Sequence, residues 1–114
     1  MPRHDTLTSL RQMRDYAREA VALAAGRSRR DLDADRMLEL SLTHLLEIIG
    51  EAASRVPENE RDTYPQITWR RLVGLRNRLI HGYDQINLDI VWRIVSDDLP
   101  ALISELGSIV SGEV

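Results

Sequence analysis

Between Gln66 and Tyr83 the chain carries four arginines, Arg70, Arg71, Arg76 and Arg78, and no carboxylate, a local charge of +4 in a molecule of formal net charge −3. Guanidinium groups stay charged at any ordinary pH and present a planar set of donors, so this segment is where a polyanion or a phosphate would be met. Within it, Arg76, Asn77, His81 and Tyr83 are the groups able to bind an anion or move a proton. On an uninterrupted helix of 100° per residue, Trp69, Leu72, Val73 and Ile80 share one face, and Arg76 falls in its middle. An arginine there needs an acid partner such as Glu47 or Glu51, a stem that reaches the edge, or an anionic ligand. Spacing leaves all three open.

Asn77 and His81 are four apart and can meet on a helix, whereas Arg76 and His81 are five apart, about 140° around the axis. Convergence of the latter pair on one phosphate needs the reach of arginine, a helix that stops at His81, or a second chain. Tyr83 follows Arg76 by two turns and points the same way if the helix persists past Gly82. A histidine at a helix end can equally be a partner of the helix dipole. Glu47 lies on a polar stripe with Thr43, Glu51 and Ser54, and is either an exposed edge residue or part of a site.

The elements that must position these groups read as helical nearly throughout. Leu7, Leu10, Met13, Ala17, Ala20 and Val21 recur at steps of three and four, with Thr6 or Thr8 available as a cap and Gly26 as the stop. A second helix starts near Asp31 to Asp35 and runs to Val56, before Pro57. Its apolar residues cover more than one face, which puts it at the centre of the domain or against a second subunit. Residues Pro57 to Thr68 read as a loop with one helical turn. Thr68 caps a third helix from Trp69 to about His81, closed by Gly82. Asn87 caps a fourth, which Pro100 kinks or restarts with Asp97 or Asp98 as the new cap. The fold class expected is all-α, an up-and-down bundle of four to five helices forming a single domain over residues 1–114.

Composition removes several classes of function. The 114 residues contain no cysteine, which excludes disulfides, thiolate metal sites and a cysteine nucleophile. His4, His44 and His81 are too far apart for a zinc-binding helix. The N-terminus lacks a signal-peptide core, no apolar run is long enough to cross a bilayer, and a cytoplasmic protein without membrane attachment is expected. All fifteen basic residues are arginines, which reads as codon bias. A net charge of −3 does not suit a protein that coats duplex DNA.

The string Leu75-Arg76-Asn77-Arg78-Leu79-Ile80-His81-Gly82-Tyr83-Asp84 resembles the R-x4-H-x-Y signature of the HepT-like branch of the HEPN superfamily. Three further segments resemble the family in the expected order: Glu47-Ile48-Ile49-Gly50-Glu51-Ala52-Ala53, Tyr64-Pro65-Gln66-Ile67-Thr68-Trp69, and Ile90-Val91-Trp92 with Leu99-Pro100. Together they span about Glu47 to Leu102. The resemblance implies a helical bundle that forms a homodimer with its two motif helices beside a shared cleft. It also implies a metal-independent endoribonuclease that needs no cofactor. Members of this kind are usually the toxin of a pair whose other gene is a minimal nucleotidyltransferase, and that partner can silence the toxin by adenylylating the motif tyrosine, here Tyr83.

On that resemblance His81 is the general acid or base and Arg76 stabilises the developing phosphate charge. Asn77 orients His81 or binds a non-bridging oxygen, and Tyr83 donates beside the scissile phosphate. Arg78 and Arg70 grip the RNA backbone; separately, from amphipathicity alone, Glu47 and Glu51 would pair with Arg76 and set its orientation if they face the third helix. An imidazole of ordinary pKa ~6.5 and a planar guanidinium suit those tasks. The products would be a 2′,3′-cyclic phosphate and a 5′-hydroxyl, and DNA, which lacks the attacking hydroxyl, would be inert. The competing expectations are a non-catalytic helical module that binds a nucleotide or the partner enzyme, and a purely structural dimerisation domain in which Arg76 is a buried ion-pair residue.

Overall fold

In α1 (His4–Ala24), Leu10, Met13, Ala17 and Ala20 are all fully buried at steps of three and four. The computed structural model describes residues 4–80 and 85–112, and this stretch of them is the first wall of the bundle. Gly26, at φ +75, provides the left-handed turn that ends it, as its sequence position suggests. Thr6 does not cap α1 but lies inside it, buried.

The helix expected from Asp31 onward is two helices, α2 (Arg29–Ala34) and α3 (Arg36–Ser54). Asp35 separates them because its carboxylate accepts a hydrogen bond from the Leu38 amide as the N-cap of α3. Arg27 donates to the same carboxylate at 2.7 Å, and Asp31 accepts from the Ser28 amide at 2.7 Å. Arg29 donates to Asp89 at 2.7 Å and so ties α2 to the helix that follows Asn87.

Helix α3 is central: it packs against α1, α2 and the later helices, which accounts for its wide apolar surface. Leu42, Leu46, Ile49 and Ala53 are wholly buried, while Met37 and Leu40 on its outer face are exposed. A single turn, α4 (Glu58–Arg61), follows Pro57, and the Arg61 Nε donates back to the Val56 carbonyl at 2.8 Å. Tyr64, Ile67 and Trp69 then plug the entry to the next segment, with the Trp69 indole donating to the Tyr64 carbonyl at 3.0 Å.

The expected third helix is broken. It forms α5 (Trp69–Val73) and α6 (Leu75–Leu79), with Gly74 between them at φ −87, ψ 7. Thr68 precedes α5 without a side-chain capping bond. Ile80 is extended, pairs with Ile86 in an isolated antiparallel bridge, and the Asn87 amide donates to the Leu79 carbonyl at 2.7 Å. Asn87 caps α7 (Leu88–Arg93), its side chain accepting from the Asp89 and Ile90 amides.

Asp97 and Asp98 do not start a new helix. They belong to a π-helical stretch, Ile94–Asp98, that runs directly into α8 (Leu99–Gly112). The Leu99 amide bonds to the Ile94 carbonyl, five residues back. Pro100, which has no N–H to give, follows this widened turn directly as the second residue of α8. Among the described residues there is no strand, and the fold is the all-α bundle the periodicity implies.

Candidate functional site

The close approach that builds the site is made by Gly50. A Cβ there would lie 3.1 Å from the Leu72 carbonyl oxygen and 3.3 Å from the Leu75 Cβ, so glycine lets α3 and the α5–α6 junction come this near without a shift in either. Leu72, Leu75 and Leu79 then point into the core. This corrects the helical wheel: the buried face is Trp69, Leu72, Leu75 and Leu79, and Val73 is exposed. Arg76 is therefore not in the middle of an apolar stripe. It is exposed, to one side of that stripe.

Arg76 lines a groove of about 210 Å³ between α3 and the α5–α6 segment, opposite Glu47, Gly50, Glu51 and Ser54. Among the described residues no carboxylate lies within 4 Å of its guanidinium, so the expected pairing with Glu47 or Glu51 is absent although they share the groove. Val73 also borders a larger groove of about 800 Å³, walled by Trp69, Arg70, Asn77 and Asn59. Glu47 borders a third, of about 690 Å³, together with Glu39, Thr43, His44 and Gln85. The three grooves lie in series, joined by Val73 and Glu47, with Arg76 in the central one.

The four arginines of the basic segment divide between two sides. Arg70 and Arg76 line this series of grooves. Arg78 and Arg71 turn the other way, 3.7 Å and 3.9 Å from the Asp98 carboxylate in the π-helical stretch. Arg78, expected to grip RNA beside Arg76, is half-buried on that opposite side. Asn77 is exposed, and Glu47 is half-buried.

His81 and Tyr83 lie outside the described residues. Their flanks do not: Ile80 and Ile86 pair, and Gln85 and Ile86 border the same groove as Glu47. Helix α6 ends at Leu79, with Ile80 extended, so the single helix expected as far as His81 stops short of it. Sequence reasoning did not single out Thr43, which is buried on α3, borders the third groove and has a hydroxyl with no hydrogen-bond partner among the described residues. Its place on the polar stripe with Glu47 was the available signal. Among the described residues no cluster of three metal-ligating side chains occurs, and no helix is long and apolar enough to cross a membrane.

The described residues form an all-α bundle, the fold class of a HEPN-like domain. The family model for HepT-like ribonucleases matches residues 8–109, and the chain belongs to that family. A protein of Methanocaldococcus jannaschii described as "Putative RNase MJ1380" is 29% identical over 93% of this chain and 97% of its own. Another from the same organism, "Putative RNase MJ0127", is 30% identical over 96% of this chain and 91% of its own. A "Probable ribonuclease HepT" of Thermococcus cleftensis is 33% identical over 63% of this chain and 66% of its own. No solved structure matches the chain.

Proposed function

We propose that this protein is a metal-independent endoribonuclease, working as a cytoplasmic homodimer, and the toxin of a pair whose antitoxin is a minimal nucleotidyltransferase. The observation that carries the reading is the family match over residues 8–109, together with an exposed Arg76 that lines a groove and has no carboxylate partner among the described residues. The correction to the wheel favours this function over a structural dimerisation domain. A guanidinium that faces solvent with no acid on it is available to a phosphate, whereas one sealed by an internal carboxylate is not.

The reaction is an internal transfer at phosphorus. The 2′-oxygen attacks the adjacent phosphate, its proton passes to a base, and the 5′-oxygen leaves with a proton, giving a 2′,3′-cyclic phosphate and a 5′-hydroxyl. His81 carries out proton transfer, a role that suits an imidazole at neutral pH because its ordinary pKa is ~6.5. Arg76 stabilises the charge that builds on the non-bridging oxygens. Tyr83 donates beside the scissile phosphate and is the site of adenylylation by the partner. Asn77 and Arg70, on the groove side, hold the RNA backbone. Arg78 acts from the far side through its interaction with Asp98.

Co-expression with a candidate nucleotidyltransferase tests the pairing: wild type gains adenylate mass and Tyr83→Phe does not. Unchanged mass in both rejects the modification. RNA binding without cleavage by the purified protein would instead make it a non-catalytic binding module. A chain that elutes only as a monomer at micromolar concentration would reject the shared cleft.

A further inference from the structure

The third groove has features that the cleavage chemistry does not use. On α3, Glu39, Thr43 and Glu47 follow one another at four-residue steps and all border it. Glu39 is buried yet ionisable, and Arg36 donates to it at 3.0 Å from the solvent side. Thr43 is 7% exposed and its hydroxyl has no hydrogen-bond partner among the described residues, a costly arrangement unless something supplies one. Glu47 has no ion-pair partner among the described residues. At about 690 Å³ the groove is within the usual size range for a small-ligand site, about 300–1,000 Å³.

We infer that this groove is a nucleobase subsite, and that it takes a guanine of the single-stranded RNA whose scissile phosphate lies at Arg76. Two carboxylates line the groove, and because Arg36, which also borders it, already holds Glu39, Glu47 is the acceptor left open among the described residues. Guanine is the RNA base that offers adjacent donors, N1–H and the N2 amine, on its Watson–Crick edge, and a carboxylate can accept from both. Glu47 is the acceptor placed to do this, because it borders both the Arg76 groove and this one. One nucleotide can then set its phosphate on one side of Glu47 and its base on the other. Thr43 borders the groove with its hydroxyl oxygen buried, so it meets a base only by rotating outward about χ1, and the exposed Leu40 and His44 offer surfaces against which a base can lie. Recognition of unstacked bases by edge hydrogen bonds and side-chain stacking requires single-stranded substrate, so duplex RNA is excluded from this subsite.

The inference rests on the ribonuclease reading, and its test is separated from catalysis by 2′-O-methyl RNA, in which the attacking hydroxyl is blocked. Short 2′-O-methyl oligomers of cytosine, each with one guanine, inosine, adenine or uracil, are titrated into the wild-type full chain. Guanine is expected to bind about tenfold tighter than adenine or uracil, and inosine, which lacks the N2 amine, to lose most of that advantage. Glu47→Gln should abolish the preference. Thr43→Val should reduce it while leaving the melting temperature equal to wild type or higher, which separates recognition from folding. Equal affinity for all four oligomers, or no binding to any, overturns the subsite, even where unmodified RNA is cleaved. A guanine preference in a protein that cleaves no RNA upholds the subsite and removes the ribonuclease reading.

Discussion

Replacing Gly50 by alanine sets two effects of known size against each other. A glycine-to-alanine change inside a helix brings about 1 kcal/mol of intrinsic stability. The new methyl would meet the Leu72 carbonyl at 3.1 Å and the Leu75 Cβ at 3.3 Å. These are a backbone atom and the stem of a buried side chain, so neither can swing aside, and relieving the contact means moving α5–α6 off α3. Overpacking of this kind costs about 1–3 kcal/mol, which leaves a net loss of about 1 kcal/mol. For a domain of this length that lowers Tm by roughly 3–6 °C. Gly107, within α8, has open space for 4 Å around the point a Cβ would occupy and serves as the control. Gly107→Ala should raise Tm by a similar amount. Scanning calorimetry of the two variants reads the difference, and Gly50→Ala should also lower RNA cleavage, because Arg76 rides on the displaced segment. A Gly50→Ala protein as stable as Gly107→Ala would refute the close approach.

Three further outcomes are expected. Asn87→Ala removes the cap of α7 and should cost about 1 kcal/mol in urea unfolding, with Asn87→Ser recovering most of it; an unchanged midpoint would contradict the capping role. The Asp31 carboxyl is held below its ordinary value chiefly by the Ser28 amide, and that of Asp35 by Arg27 and then the Leu38 amide. Groups lowered in this way stabilise the fold above the unfolded carboxylate pKa, about 3.9, and that contribution is lost as pH falls through the folded values. Wild type should therefore lose stability more steeply below pH ~4 than the Asp31→Asn, Asp35→Asn double variant, and equal slopes would count against it. Arg70→Ala should weaken RNA binding and reduce its salt dependence by about one unit of slope, while Arg78→Ala, paired with Asp98, should change the slope less; the reverse order would contradict the two-sided division of the arginines.

Much of the scaffold was legible because local rules decide it. Gly26 ends α1, Asn87 caps α7 and the apolar breadth of α3 marks it as central, each from residues whose preferences are strong in any context. The site was harder to read. A helical wheel assumes an unbroken helix, and the turn at Gly74, with the helix end at Leu79, shifts the buried face onto Leu75 and Leu79 and leaves Arg76 in the open. The ion pairs of Arg71 and Arg78 with Asp98 join parts of the chain that no spacing rule connects. The π-helical stretch before Pro100 is likewise a product of tertiary packing, since the proline alone predicts only a break. The motif string singled out Arg76 on grounds other than burial, and the burial that the wheel assigned to it is absent.

The most direct measurement follows the ends of the products. Wild-type protein is incubated with end-labelled single-stranded RNA in excess chelator, beside Arg76→Ala and its melting curve. Wild type should leave 2′,3′-cyclic phosphate ends, and Arg76→Ala should cut at least about 100-fold more slowly. Because Arg76 is exposed, the variant's unfolding free energy should stay within about 0.5 kcal/mol of wild type. Undiminished cleavage by Arg76→Ala, or a loss of about 3–5 kcal/mol in stability as for a broken buried ion pair, would contradict a solvent-facing guanidinium that serves the phosphate.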